Sequence, residues 1–207
     1  DSSICLALML REYKTEEILS LGFKYNQRHS AELFQAEKIA KHFGVERRVV
    51  DLSLLSTLTR DALTDSSIPI EHLPGEAPNT LVVGRNGLMA RLAAIHAHHL
   101  GAGSIVMGVM ELEGANSGYR DCSRAYMDKM QEILRLDLDN PHFTIRTPLV
   151  KMTKRETMEL ADSLGVLEYL LENTISCYEG LFGRGCGRCP ACLLRNEGID
   201  AFYGTKV

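Results

Sequence analysis

The chain has 207 residues, of which 45% are hydrophobic and 24% charged, and its formal net charge is -4. This length suits one globular domain, with room for a small appendage. The slight acid excess gives no bulk case for binding nucleic acid or a membrane surface, and no run approaches the roughly 18 apolar residues that a membrane span requires.

The first residues resemble the interior of a packed element rather than a free end. Asp1-Ser2-Ser3 leads directly into an apolar run from Ile4 to Leu10, which predicts a buried helix over residues 3–12. Because a chain seldom begins inside a packed element, we expect further residues upstream of Asp1. No signal peptide is visible, so we expect a cytoplasmic protein. Thiols stay reduced there, and clustered cysteines are then metal ligands rather than disulfides.

Strand and helix signals then alternate along the chain. Ser30 can cap a helix that Gly44 closes, and Thr153 with Glu156 fits a capping box. The predicted strands are residues 18–25, 48–52 and 104–109, and further predicted helices are 86–100, 121–134 and 192–203. This alternation predicts an α/β fold, a parallel sheet with helices on both faces. Ligands then bind beyond the carboxyl ends of the strands, in the loops 24–29, 64–86 and 110–121.

The C-terminal region contains a cysteine cluster with the spacing C-x8-C-x2-C-x2-C. Its members are Cys177, Cys186, Cys189 and Cys192. Two-residue spacings let neighbouring sulfurs reach one ion, and four thiolates complete the tetrahedral shell of a structural zinc with no position left for water. An iron–sulfur cluster uses the same ligands and stays an alternative. Cys5 and Cys122 stand apart, and we expect the first in the core and the second in a loop.

Five segments occur in an order that resembles the 7-cyano-7-deazaguanine synthase (QueC, preQ0 synthase) family. They are Phe23 to His29, Pro78 to Thr80, Gly84 to Asn86, Ser117 to Cys122 and the cysteine cluster. The resemblance runs from Asp1 to about Tyr203 and implies the adenine nucleotide alpha-hydrolase-like fold of the PP-loop ATP pyrophosphatases. It implies a nucleotide-binding domain over residues 1–171 and a zinc-binding segment over residues 172–207. Asp1 and Ser2 would end the phosphate loop, whose glycines and strand are expected upstream.

The resemblance also implies an ATP-dependent ligase. The family converts 7-carboxy-7-deazaguanine, ammonia and ATP with Mg²⁺ to 7-cyano-7-deazaguanine (preQ0), a precursor of queuosine. Carboxylate oxygen is a poor leaving group, so ATP adenylates the carboxylate, ammonia displaces AMP, and the amide is activated again to lose its oxygen. A protein with this task mainly holds two anions together and neutralises their charge.

Three roles are carried over onto matching residues. The catalytic candidates are Asp1, Arg85, Asp121 and Lys154, with Asp1 holding Mg²⁺ on the pyrophosphate. The nucleotide-binding candidates are Asp1, Ser2, Ser3, Arg85 and Asn86, since a helix N-terminus favours phosphate. The substrate-binding candidates are Gln27, Arg28, His29, Tyr119 and Asp121, because an aromatic ring suits the flat face of a deazaguanine and a carboxylate suits its N–H donors.

The region of the third loop departs from the family pattern and keeps other functions open. It is longer than usual, it holds Glu111 and Glu113, and Ser123 replaces a common arginine. The first alternative is therefore a paralogue with the same ATP chemistry on another acceptor, in antiviral defence or tRNA modification. The second is a non-enzymatic zinc ribbon that binds nucleic acid or a partner through Arg184, Arg188 and Arg195.

The expected partners are small molecules, namely 7-carboxy-7-deazaguanine, ammonia and ATP, with no membrane and no direct nucleic-acid contact. The apolar helix at 86–100 can support an interface, and we expect a homodimer. A tRNA-thiolating relative would need a reactive cysteine, and Cys122 is the spare cysteine in a pocket loop.

Overall fold

The computed structural model describes residues 1–28, 30–71, 78–111 and 118–204. The helices are α1 (Ser2–Met9), α2 (Ala31–His42), α3 (Leu55–Leu58), α4 (Arg85–His99), α5 (Arg124–Asp137), α6 (Lys154–Ser163), α7 (Leu167–Asn173) and α8 (Pro190–Gly204). The strands are β1 (Leu19–Lys24), β2 (Glu46–Asp51), β3 (Ser104–Val106) and β4 (Thr144–Arg146), and Thr15–Glu17 and Arg120–Cys122 form short 3-10 helices. Within these ranges, no helix combines the length and the apolar character that crossing a bilayer takes.

The strands pair in parallel, which confirms the predicted α/β class. In the first sheet β1 lies beside β2, from Leu19 opposite Glu46 to Lys24 opposite Asp51. In the second, β3 lies beside β4, with Ile105 at its centre. The single sheet that was expected is divided in the described ranges into two two-stranded sheets, and residues of both β1 and β3 line a broad cleft.

Capping explains where several helices begin and end. The predicted box at α6 is confirmed, because Thr153 Oγ1 accepts from the Glu156 amide (3.2 Å) and Glu156 Oε2 accepts from the Thr153 amide (2.7 Å). Ser30 occupies the N-cap of α2 without a side-chain bond, and Gly44 follows its end with a φ of 70°. The prediction that a helix starts at Asp121 was wrong, since Arg120–Cys122 form a 3-10 turn and α5 begins only after it.

Two apolar clusters form the core. One joins α1, α2, α6, α7 and α8 around Ile4, Leu149 and Phe202, and it includes Cys5, whose predicted place in the core is confirmed. The other packs α4 and α5 against β3 and β4 around Met127 and Phe143. A third, small cluster surrounds the four C-terminal cysteines. The cleft lies among these packed parts and opens between the two sheets.

Candidate active site and metal centre

A cleft of about 2220 Å³ runs between β1 and β3 and reaches the N-termini of α1 and α4. This exceeds the volume of a typical pocket for one drug-sized ligand. Most of the candidate residues line it, although they come from distant parts of the sequence. They are Asp1, Ser2, Ser3, Gln27, Arg28, Arg85, Asn86, Tyr119 and Lys154. The remaining candidates are Asp121, which lies behind the wall, and His29, which lies outside the described residues.

Asp1 and Lys154 meet at the start of α1. Lys154 Nζ donates to both carboxylate oxygens of Asp1, at 2.6 and 2.7 Å, across 153 positions of sequence. The lysine side chain is only 13% exposed and that of Asp1 35%. The structure therefore brings together a carboxylate that was expected to hold a cation and an amine that was expected to meet phosphate.

The backbone at the start of α1 is packed tightly against the segment after β3. A Cβ added to Gly108 would lie 2.7 Å from the Ser2 amide nitrogen and 2.9 Å from the Asp1 carbonyl carbon. Only glycine permits that approach. As a result the N-terminal end of α1, with Ser2 and Ser3, is held at the cleft, where unpaired amides and the helix dipole favour an anion.

Arg85 is the first residue of α4 and extends toward β1. Its Nη1 donates to the hydroxyl of Tyr25 (3.0 Å), and its guanidinium lies 5.5 Å from the centre of that ring. Burial, the largest influence, lowers the pKa of Arg85, but Tyr25 and Asp121 together with more distant acidic groups outweigh it, so the pKa is raised. Arg85 is thus a fixed positive charge in the cleft wall.

Asp121 supports this wall from behind. It is 6% exposed, and its Oδ2 accepts a hydrogen bond from the Asn86 amide (3.0 Å) at the first turn of α4. Asn86 Nδ2 in turn donates to Cys122 Sγ (3.3 Å), and burial raises the pKa of that thiol to about 11. In this arrangement Asp121 anchors the helix that carries Arg85, and burial disfavours the thiolate form of Cys122.

A chain of hydroxyls crosses the other side of the cleft. Tyr119 Oη lies 2.5 Å from Thr80 Oγ1 and 3.3 Å from Tyr178 Oη. Thr80 is fully buried at 1% exposure. The chain joins three segments far apart in sequence, and it holds the ring of Tyr119 at a defined place in the wall.

The side chains of Gln27 and Arg28 form hydrogen bonds with the backbone of the chain. Gln27 Oε1 accepts from the Tyr25 amide (2.9 Å). The Arg28 guanidinium donates to the carbonyls of Ala62 and Ile68, both at 3.0 Å, and of Ser66 at 3.2 Å. Both line the cleft, but Arg28 mainly fixes the loop after α3.

Two departures from the family pattern have local structural roles. The Glu111 carboxylate accepts from the Arg124 amide at the start of α5 (2.6 Å) and pairs with Lys151. Ser123 is the N-cap of the same helix, where its Oγ accepts from the Tyr126 amide (3.2 Å). Glu113 lies outside the described residues.

The four cysteines converge as predicted, and their sulfurs all lie within 4.8 Å of one another. A zinc ion with Zn–S bonds of about 2.3 Å needs tetrahedral sulfurs about 3.8 Å apart, and Cys186 Sγ lies 3.9 Å from Cys192 Sγ. A Cβ on Gly185, whose φ is 66°, would lie 2.3 Å from Cys192 Sγ. This donor set fits a tetrahedral metal ion.

Hydrogen bonds from backbone amides favour the thiolate form of Cys186, one of the four clustered cysteines. Burial raises the pKa of Cys186, but backbone amides of Arg188 and Cys189 oppose it and the net effect is a pKa of about 7. The Cys189 amide donates to that sulfur at 3.4 Å. Metal binding requires thiolates, so a thiol that ionises near neutrality is a suitable first ligand.

A buried arginine attaches α8 to the end of α7. Arg195 is 8% exposed and donates to Thr174 Oγ1 and the Leu171 carbonyl, both at 2.8 Å. Helix α8 then crosses α6 so closely that a Cβ on Gly198 would lie 2.6 Å from the Cβ of Lys154. Helix α8, which begins within the cysteine cluster, therefore packs against Lys154, the residue that pairs with Asp1.

Sequence reasoning did not assign Tyr25, Thr80 and Tyr178 to the site. Tyr25 and Thr80 lie in the segments that carried the resemblance, and Tyr178 directly follows a metal ligand. Their positions beside candidate residues were the available signal. Their convergence depends on contacts between loops, which spacing along the chain does not reveal.

Comparison with family models finds one that matches residues 1–203, nearly the whole chain. Its description is queuosine biosynthesis protein QueC. The matched range includes the residues of the cleft and all four clustered cysteines.

Proposed function

The chain belongs to the QueC family of queuosine biosynthesis proteins, and from that premise we propose that it is a 7-cyano-7-deazaguanine synthase. Membership implies an ATP-dependent enzyme in the broad sense. The proposed reaction is finer: 7-carboxy-7-deazaguanine, ammonia and ATP give preQ0 through an adenylated carboxylate and then an amide. The observation that carries the proposal is the meeting of Asp1, Lys154 and the N-terminus of α1 in one cleft with Arg85 and Tyr119.

The nucleotide half of the cleft supplies what phosphate needs. Amides at the start of α1, with Ser2 and Ser3, face an anion, and Lys154 contributes a positive charge beside them. Asp1 is the residue that would hold Mg²⁺, and such an ion would supply positive charge for the pyrophosphate. Lys154 lies beside this position, where it pairs with Asp1.

The other half suits a flat, anionic heterocycle. The half-buried Arg85, whose guanidinium lies in the cleft wall, attracts the carboxylate and orients it toward the α-phosphate. The rings of Tyr119 and Tyr25 offer faces and hydroxyls to the deazaguanine. Holding two anions in reacting geometry is the main contribution of such a site, because adenylation itself supplies the leaving group.

For the cysteine cluster we propose zinc in a structural role. Four thiolates fill the tetrahedral shell, so no position is left for a substrate or water. Iron–sulfur ligation remains the competing assignment, and metal analysis of purified protein distinguishes the two.

The contacts weigh against the other candidate functions. Two arginines of the cluster are paired, Arg184 with Asp200 and Arg188 with Glu179, and Arg195 is buried. Although Arg184 and Arg188 are exposed, their acidic partners cancel the local excess of positive charge that a nucleic-acid surface needs. The raised pKa of Cys122 disfavours thiolation chemistry. A paralogue with another acceptor stays the second candidate, favoured only by the departures in the third loop.

The test is direct conversion by the full-length protein. It is incubated with ATP, Mg²⁺, ammonium and 7-carboxy-7-deazaguanine, and the products are identified by mass spectrometry. We expect preQ0, with AMP and pyrophosphate released. ATP cleavage without any nitrile or amide would support the paralogue instead, and absence of both would refute the proposal.

Three further expectations stay proposals. The enzyme acts in the cytoplasm, forms a homodimer, and has small molecules rather than nucleic acid or membranes as partners. Sedimentation velocity at several protein concentrations tests the dimer, and a single monomeric species throughout would refute it.

A further inference from the structure

Tyr178 belongs to two sites at once. Its main chain directly follows the ligand Cys177, and its ring packs with the small cysteine cluster. Its side chain also lines the cleft, together with Arg85 and Tyr119. Its hydroxyl contacts that of Tyr119, so Tyr178 joins the described cysteine segment to the loop that carries Tyr119.

The main chain of Tyr178 is fixed by the ligand set. The following amide, of Glu179, donates to Cys177 Sγ at 3.4 Å, and the Gly180 amide donates to the Cys177 carbonyl at 3.0 Å. Amides that donate to ligand sulfurs define the path of such a loop, so metal binding holds the tyrosine in place.

The side chain transfers this order to the cleft. The Tyr178 hydroxyl lies 3.3 Å from Tyr119 Oη, which lies 2.5 Å from Thr80 Oγ1. Tyr119 therefore has one hydroxyl partner on each side, one in the loop before α4 and one in the metal loop. A ring held at both sides keeps its rotamer, and that pre-organises a binding wall at low entropic cost.

We propose that Tyr178 is a positioning residue, through which the metal loop sets Tyr119 for the flat heterocyclic substrate and leaves nucleotide binding untouched. This inference rests on the proposed function only for the identity of the heterocycle. The nucleotide end, formed by Asp1, Ser2 and Lys154, makes no described hydrogen bond to Tyr178.

The test removes one hydroxyl. Tyr178→Phe keeps the ring and the packing around the cysteines. Tyr203→Phe is the matched control, because the Tyr203 hydroxyl, at the far end of α8, donates to Glu168 in α7. Calorimetry measures the binding of 7-carboxy-7-deazaguanine and, separately, of AMP to each full-length protein. Zinc content and melting temperature are measured alongside.

We expect Tyr178→Phe to weaken binding of the deazaguanine about 5- to 10-fold, the effect of one lost hydrogen bond. Affinity for AMP, zinc content and melting temperature should match those of Tyr203→Phe and the unaltered protein. In the conversion assay the KM for the deazaguanine should rise with kcat unchanged.

Equal deazaguanine affinity in both variants would overturn the inference, and so would a parallel loss of AMP affinity or of zinc, which would indicate a merely structural role. If the unaltered protein binds the deazaguanine without forming nitrile, the proposed reaction fails, and a selective effect of Tyr178→Phe still supports the positioning role. Failure of the unaltered protein to bind the deazaguanine overturns both.

Discussion

Two oppositely charged side chains, Asp1 and Lys154, neutralise each other at the entrance to α1. Neither is fully buried, so the pair does not depend on a dry interior for its existence. Its importance lies in location, since the unpaired amides of the helix end lie beside it. A substitution at either position changes the charge that a phosphate group meets there.

Lys154→Met should lower kcat/KM for ATP by about 100-fold or more, as expected when a preorganised charge at a reacting phosphate is lost. Steady-state kinetics of pyrophosphate release measures the effect. Lys151→Met is the control, because Lys151 is equally cationic but pairs with Glu111 outside the α1 entrance. Similar losses in both variants would contradict a specific role for Lys154.

At the scale of elements, glycines decide how closely segments approach. The missing side chain of Gly108 leaves room for the backbone at the start of α1. Gly185 in the same way leaves room for Cys192 Sγ, and Gly198 for the Cβ of Lys154 in α6. In each case the clash is with backbone or with fixed atoms that have little freedom to move. Substitutions at these glycines therefore test contacts between segments rather than the intrinsic stability of one helix or strand.

Gly185→Ala should reduce bound zinc well below about one ion per chain, because the new methyl group would occupy the space of Cys192 Sγ. Gly183→Ala is the matched control. Its φ of 62° imposes the same left-handed strain, about 1 kcal/mol, but a Cβ there meets nothing within 4 Å. Metal analysis of both purified proteins decides, and equal zinc contents would refute the steric argument.

Gly108→Ala should weaken ATP binding by about 10-fold or more, since a shift of about 1 Å at a reacting group is costly. Here Gly103→Ala is the comparison, because Gly103 precedes β3 and a Cβ on it has open space. Nucleotide titration measures both, and unchanged affinity for the Gly108 variant would show that α1 does not present the phosphate site.

The sequence correctly predicted those features that depend on residues close together in the chain. The capping box at α6 and the cysteine spacing depend on a few neighbouring residues, and both predictions were confirmed. The three-residue strand β4 has only Ile145 buried and forms through pairing with β3, so no periodic pattern revealed it. The anchoring role of Asp121 likewise depends on Asn86, 35 positions away, and the candidate list could name the residue without its contact.

For the whole molecule, packing is unevenly distributed. Among the described residues, two large apolar clusters join helices and strands, whereas the cysteine cluster has Ile175 as its one buried member besides Cys177, Cys189 and Cys192. Such a small cluster cannot offset the entropy of ordering a glycine-rich loop, so we expect the proposed metal ion to contribute much of its stability.

Treatment with a strong zinc chelator should therefore loosen residues 176–189 and the first turn of α8 while the rest stays folded. Hydrogen exchange followed by mass spectrometry should report faster exchange there, with amides of β1 and β2 unchanged. Cooperative unfolding of the entire chain, with uniform loss of protection, would show instead that the metal segment and the α/β body form one folding unit.

If the cysteines hold zinc and the start of α1 holds nucleotide, as proposed, the close packing of Gly198 on the Cβ of Lys154 couples the two binding equilibria. A nucleotide that immobilises Lys154 also resists any displacement of α8, and α8 carries the ligand Cys192. Linkage is reciprocal, so the factor by which zinc tightens nucleotide binding must equal the factor by which nucleotide tightens zinc. The zinc ion, which takes no part in the proposed reaction, would then be bound most tightly while nucleotide is bound.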